Sequence, residues 1–280
     1  MPLLLAGLTV LLQVGYPLVT GAPRDLLTVV TVLVFFLATA SHALVHRGPR
    51  WTAGYLAATL GVGLLAEAAG VRTGLPFGDY AYADSLGWQL LDVPVVVPLA
   101  WAMFAYPCLL AGQRLGHPVL AGAWALASWD LFLDPQMVAA GHWRWLDVQT
   151  SVPGIADVPV SNFGGWVVVA LVLMALLSRL PRVPADDRLP FALLLWTWGS
   201  SVLANLAFFG RPGVAVVGGL AMAVVLVPLL RHPSRPHLFP RPLEPSPVIH
   251  GTSAPVRGPK TAPPVPWITG RVAAVRGWRR

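Results

Sequence analysis

Two aspartates, Asp130 and Asp134, stand four residues apart in a segment that is otherwise apolar. On a helix that spacing puts both carboxyls on one face, ~6 Å apart along the axis. A third acid, Glu67, lies near the end of another apolar segment. Ionisable groups within a membrane are costly and mark functional positions. A carboxyl in low dielectric can keep its proton at neutral pH, and an ionised carboxylate beside it supplies a base. Aromatic faces stabilise a nearby cation. Acid, base and aromatic wall together suit protonation of an alkene, passage through a carbocation and capture by water. They suit a hydrophobic substrate that stays in the bilayer. Intramembrane carboxylates also serve proton-coupled transport, so the residues by themselves leave both chemistries open.

The elements that carry these groups follow from composition. The chain has 280 residues, of which 56% are apolar and 11% charged, against roughly 25% charged in a soluble protein. That deficit excludes an ordinary water-soluble enzyme, and the apolar content excludes a disordered chain. A single cysteine, Cys108, excludes a disulfide framework and a multi-cysteine metal site. Eight apolar segments run over 3–20, 26–45, 52–70, 93–112, 117–134, 163–180, 190–209 and 213–230. Each is about long enough for a ~30 Å hydrocarbon layer. The expectation is an all-α, polytopic membrane bundle of about eight transmembrane helices over 1–230. The first segment opens without a basic lead or a small-residue cleavage site, so it is expected to be a retained span.

Residues 231–280 differ. They hold nine basic residues against Glu244, with eleven prolines, and are expected to form a disordered basic tail drawn to anionic lipid. Eight spans put both ends on one side. Arg47, Arg50, Arg114, Arg179, Arg182 and Arg188 flank that side, against Arg24, Arg72, Arg144 and Arg211 on the other. Both termini are therefore expected to be cytoplasmic in a multi-pass cell-membrane protein.

On this map the polar groups converge on one depth, beneath two long aromatic-rich loops, 71–92 and 135–162. Pro135 is expected to end the fifth span, leaving Asp134 at its boundary and Asp130 one turn deeper. Asp92 precedes Pro94 at the start of the fourth span, Asn162 opens the sixth, and Asn205 lies near the outer end of the seventh. Asp92 and Asn162 read equally well as helix N-caps. The loop aromatics read equally as an interfacial belt. Three other motifs fail on context. Gly61-Val-Gly63-Leu-Leu-Ala66 has a dinucleotide-binding pattern but lies inside a span with no preceding strand. His42 and His46 have metal-ligand spacing but too few histidine companions. Asp130-Leu-Phe-Leu-Asp134 has the acidic spacing of membrane prenyltransferases but no second acidic motif.

Three blocks carry a resemblance. The first runs Glu67-Ala-Ala-Gly70-Val-Arg-Thr-Gly74-Leu-Pro76-Phe77-Gly78-Asp79-Tyr80-Ala-Tyr82. The second is Trp129-Asp130-Leu-Phe-Leu-Asp134-Pro135-Gln136-Met137, followed by Gly141-His142-Trp143-Arg-Trp145. The third is Pro159-Val-Ser161-Asn162-Phe163-Gly164-Gly165-Trp166. Together they resemble the family of carotenoid biosynthesis proteins that includes carotenoid 1′,2′-hydratases and bisanhydrobacterioruberin hydratase, over about residues 50–210. The resemblance implies addition of water across the terminal C1′,2′ double bond of a carotenoid ψ-end, giving a tertiary alcohol, without an organic cofactor; the residues themselves give no expectation of a metal. Asp130 would then be the proton donor, and Asp134 or Glu67 the base. Tyr80, Tyr82, Trp129 and Trp143 would line the cation. Asp79, Asp92, Asn162, Trp166 and Asn205 complete the expected substrate-binding set. The implied partners are membrane lipid, the carotenoid and other enzymes of its pathway, with no nucleic acid. Two alternatives stand beside this reading: a prenyltransferase-like end-group enzyme, and a non-enzymatic carotenoid-binding or transport protein.

Overall fold

Apolar segments in hydrocarbon must pair their own backbone N–H and C=O groups, and a helix does so within one segment. The computed structural model, which describes residues 1–231, has helices at each of the eight expected positions: α1 (Pro2–Gly15), α2 (Ala22–Arg47), α3 (Pro49–Thr73), α4 (Val96–Arg114), α5 (Leu120–Ala140), α6 (Val160–Leu177), α7 (Arg188–Ala207) and α8 (Pro212–Arg231). Six of them, α2, α3, α4, α6, α7 and α8, are long and apolar enough to cross a membrane. Leu33, Leu65, Val172, Leu203 and Val224 point outward from the bundle, as suits helices solvated by lipid. The architecture is the expected all-α membrane bundle. The proposed tail, 231–280, lies outside the described residues except for Arg231, which closes α8.

The centre of the bundle is α4 and α5. α4 packs against α2, α3, α5 and α7, and α5 against α4, α6 and α8. The two aspartates thus sit on a helix with neighbours on several sides. α5 does not stop at Pro135 but continues to Ala140. Proline removes one N–H and leaves the carbonyl four residues earlier without its donor, yet in a packed membrane bundle neighbouring groups make such a break tolerable. The helix stops instead at Gly141, whose positive φ of 78° permits a Schellman turn. The Gly141 N–H donates to the Val138 carbonyl at 3.0 Å and the His142 N–H to the Met137 carbonyl at 3.0 Å. Asp134 is therefore well inside α5 rather than at its boundary.

The two long loops are ordered and joined. β1 (Tyr80–Tyr82) pairs antiparallel with β4 (Trp143–Trp145), placing Tyr80 opposite Trp145 and Tyr82 opposite Trp143. A second, minimal hairpin joins β2 (Gln89–Leu90) to β3 (Val93–Pro94). Its turn residues Leu91 and Asp92 have φ of 56° and 68°, so Asp92 turns a hairpin and caps no helix. Phe77 anchors the first loop between α3 and α6. A Cβ on Gly70 would come within 2.9 Å of its ring, and one on Gly165 within 2.7 Å of both the ring and the Pro76 carbonyl.

The far end of the bundle is closed by the segment between α6 and α7. Arg47 pairs with Asp187 and donates to the Val183 carbonyl. The Trp51 indole donates to the Pro181 carbonyl at 3.0 Å. His42 uses both ring nitrogens, with the Tyr106 hydroxyl and the Asp186 carbonyl each at 3.0 Å, and stacks on His46 at 4.2 Å.

Gly165→Ala forces a methyl against backbone that cannot rotate away. The expected cost is about 1–3 kcal/mol, read as a lower unfolding temperature of the detergent-solubilised protein. An unchanged unfolding temperature would contradict the close approach of the 76–77 segment to α6.

Candidate active site

Glu67, Asp130 and Asp134 are all buried and line one cavity of about 230 Å³. It lies at the end of the bundle where α3 and α5 finish and α6 begins, roofed by the β1–β4 pair. Among the described residues no arginine, lysine or histidine lines it. The carboxyl oxygens are met by neutral hydrogen-bond donors from four elements, β1, α4, β4 and α6.

Glu67 receives three. The hydroxyls of Tyr80 and Tyr82 donate to its Oε2 at 2.7 and 2.8 Å, and the Trp101 indole donates to its Oε1 at 3.0 Å. Alternation along β1 turns both tyrosines to the same face, so one short strand supplies both donors. Gly70, one turn beyond Glu67, leaves the room for Tyr80, because a Cβ there would stand 2.7 Å from the phenol oxygen.

Asp134 is also held at both oxygens. The indoles of Trp143 and Trp145 donate to Oδ1 at 2.5 Å and to Oδ2 at 3.0 Å. These two rings likewise share one face of β4 by alternation. Asn162 joins the aspartates: its amide nitrogen is 2.7 Å from Asp130 Oδ2 and 3.3 Å from Asp134 Oδ2. It is the third residue of α6, after Pro159 at the cap position, so it bridges carboxyls instead of capping. Asp130 accepts from Asn162 alone among the described residues, and its second oxygen has no protein donor.

Aromatic rings enclose the acids. Trp101 and Trp166 stack with centroids 3.9 Å apart. Trp129 stands edge-on to Trp166 at 6.2 Å and stacks on Phe104 at 4.4 Å. Tyr80 leans on Trp145 at 5.1 Å, and Tyr82 meets Trp143 edge-on at 5.7 Å. The arrangement can bind an apolar chain end, move a proton between carboxyls and face a positive centre with π-density.

Most of the expected set is brought together here. Tyr80, Tyr82, Trp129 and Trp143 line the cavity, as do Asn162, Trp166 and Asn205. Asp79 and Asp92 do not. Asp79 is exposed and serves the fold through its carbonyl, which accepts from the Leu146 N–H at 2.8 Å. Asp92 is exposed and pairs with Arg72 at 3.1 Å. A polar residue in an aromatic-rich loop was, in these two cases, an ordinary solvated group. Trp101 and Trp145 were not in the expected set. An indole well inside an apolar helix needs a partner for its N–H, and that was the available signal for Trp101. For Trp145 the signal was its period-2 repeat with Trp143.

Fold and site define a polytopic helical membrane protein with an aromatic, carboxyl-bearing chamber. Residues 27–230 match the family described as carotenoid biosynthesis protein, and the chain belongs to that family. A curated relative, bisanhydrobacterioruberin hydratase of Haloarcula japonica, is 34% identical over 154 residues, which cover 48% of this chain and 50% of the relative. The match therefore spans about half the length of that relative. No solved structure matches the chain.

Burial and the neighbouring Glu67 carboxyl push the phenols of Tyr80 and Tyr82 well above the ordinary tyrosine range. Both stay neutral where an unfolded chain would ionise, near pH ~10. Their contribution to stability is complete below that pH and is lost as pH rises beyond it. Replacing both with phenylalanine should leave the absorbance step of tyrosine ionisation at pH ~10 unchanged in amplitude. A step smaller by two tyrosines would contradict their burial against Glu67.

Proposed function

We propose that the protein is a carotenoid-modifying membrane enzyme that hydrates the terminal C1′,2′ double bond of a ψ-end to a tertiary alcohol. The observation that carries this reading is the unequal treatment of two adjacent carboxyls in one greasy chamber. Asp134 faces indole and amide N–H groups, which can only donate; that set suits an acceptor. Among the described residues no group donates to the second oxygen of Asp130, so an O–H there can point at substrate. In this mechanism Asp130 protonates the CH carbon of the alkene. The π bond breaks, and a tertiary cation forms at the carbon bearing the methyl groups, facing the indole and phenol rings. Water adds to that carbon, and Asp134 takes the proton that water loses. Glu67 fixes Tyr80 and Tyr82 in the wall and is the alternative proton acceptor.

Family membership and the hydratase relative support the substrate class and the reaction. The balance of reactants calls for no organic cofactor. The termini are cytoplasmic in this reading, which the bias of arginines toward the α2–α3, α4–α5 and α6–α7 connections supports. The chamber then lies toward the opposite leaflet, with membrane lipid and other carotenoid-pathway enzymes as its surroundings. The Asp130–Asp134 pair also invites a prenyltransferase reading. However, Asp134 accepts from N–H groups at both oxygens, a poor arrangement for holding a metal diphosphate.

Expression in a lycopene-producing host tests the proposal. The expected pigment is heavier by one water for each modified end. Asp130→Asn should lower its yield at least about a hundredfold, the scale of general acid catalysis, with protein level in the membrane unchanged. Near-normal yield in that variant would refute Asp130 as the acid. A gain of one C5 unit would instead support a transferase, and an unaltered pigment with the protein in the membrane would support a binding or transport role.

A further inference from the structure

The chamber has one side unlike the rest. Around the carboxyls its walls are mostly aromatic and aliphatic, with Gln13 and Gln136 also reaching it, but α2 and α7 present Thr28, Thr31, Thr197, Ser200, Ser201 and Asn205 to the same cavity. α1 and α4 each pack against both of those helices. Hydroxyls on membrane helices commonly satisfy themselves on the preceding turn. Thr28 and Thr197 do so, donating to the Arg24 and Leu193 carbonyls at 2.9 Å each. Two atoms do not. Thr31 Oγ1 and Asn205 Oδ1 are buried with no hydrogen-bond partner among the described residues, and Asn205 is only 3% exposed. The Asn205 amide nitrogen is spent on the Ser201 carbonyl at 2.9 Å. Its oxygen is thereby fixed as an acceptor that needs an external donor.

A hydrocarbon chain end has no donor to offer, whereas water has two. Buried polar atoms of this kind are ordinarily met by an ordered water with two to four polar partners. We propose that the α2–α7 side of the chamber binds the water molecule consumed in the reaction, with Asn205 Oδ1 accepting from it and the Thr31 hydroxyl donating to it. This inference rests on the hydratase reading and adds the site of its second substrate. Held in this way, water keeps a lone pair for the cation. The new C–O bond forms from that pair, and the proton released goes to the carboxylate acceptor. Without water at this position the cation can only return a proton and regenerate an alkene.

The partition between these two fates tests the proposal. Purified full-length protein is given lycopene in deuterated water, and both the alcohol and the deuterium in recovered, unhydrated carotenoid are measured. Thr31→Val keeps the side-chain shape and removes the hydroxyl; Asn205→Leu removes the acceptor. Each should lower alcohol formation roughly tenfold, the effect of one lost hydrogen bond, while deuterium in the recovered carotenoid rises above its level with the unaltered protein. Unchanged alcohol formation would overturn the proposal. So would equal loss of alcohol and deuterium uptake with the protein folded in the membrane, which would make this side a substrate-binding wall. If the unaltered protein forms no alcohol, the hydratase reading itself fails, and this inference with it.

Discussion

Three carboxyls buried in an apolar bundle, with no basic side chain beside them among the described residues, are matched by neutral donors. Every unusual feature near the site answers that demand. Glu67 is met by two phenols and an indole, and Asp134 by two indoles and an amide. Four of those donors come from two three-residue strands, each presenting its aromatic pair on one face. The β1–β4 pairing is thus what lets the ends of α3 and α5 keep their acids inside. The same rings that satisfy the acids also wall the cavity, so donor supply and the apolar wall are one construction. Asp130 is the exception, held among the described residues by Asn162 alone, and the proposal gives it the proton for that reason.

Much of the helical frame was legible in the sequence, because a membrane segment must satisfy its own backbone and long apolar runs declare themselves. The three acids were legible for the complementary reason: nothing but function or a partner keeps Glu67, Asp130 and Asp134 in such segments. What failed was local rule against tertiary context. Pro135 has a strong local signature as a helix end, yet packing carries α5 on to Gly141. Asp79 and Asp92 share an aromatic-rich loop with Tyr80 and Tyr82, but alternation along β1 turns the two tyrosines inward, whereas Asp79 precedes that strand and Asp92 lies in the turn of the β2–β3 hairpin. The Tyr-x-Tyr and Trp-x-Trp repeats showed that alternation in the sequence. Their pairing is long-range, and no local pattern sets its register. Trp101 was hidden for a similar reason, since its partner Glu67 lies on another helix.

The comparison with the Haloarcula japonica hydratase and the geometry bear on different questions. Family membership bears on the pathway. The geometry bears on how a chain with few charges could perform the proposed acid–base chemistry: in that proposal the substrate's end comes to the acids, and water is the small, polar partner. A chamber with carboxyls and π-faces on some walls and hydroxyls on α2 and α7 is consistent with both requirements.

The most direct test of this account is the origin of the oxygen in the product. Purified protein and an acyclic carotenoid, incubated without oxygen gas in water labelled with heavy oxygen, should yield a tertiary alcohol carrying the label in full. An alcohol whose oxygen is unlabelled, or no alcohol at all from protein that is folded and membrane-embedded, would contradict water addition by the carboxyl chamber.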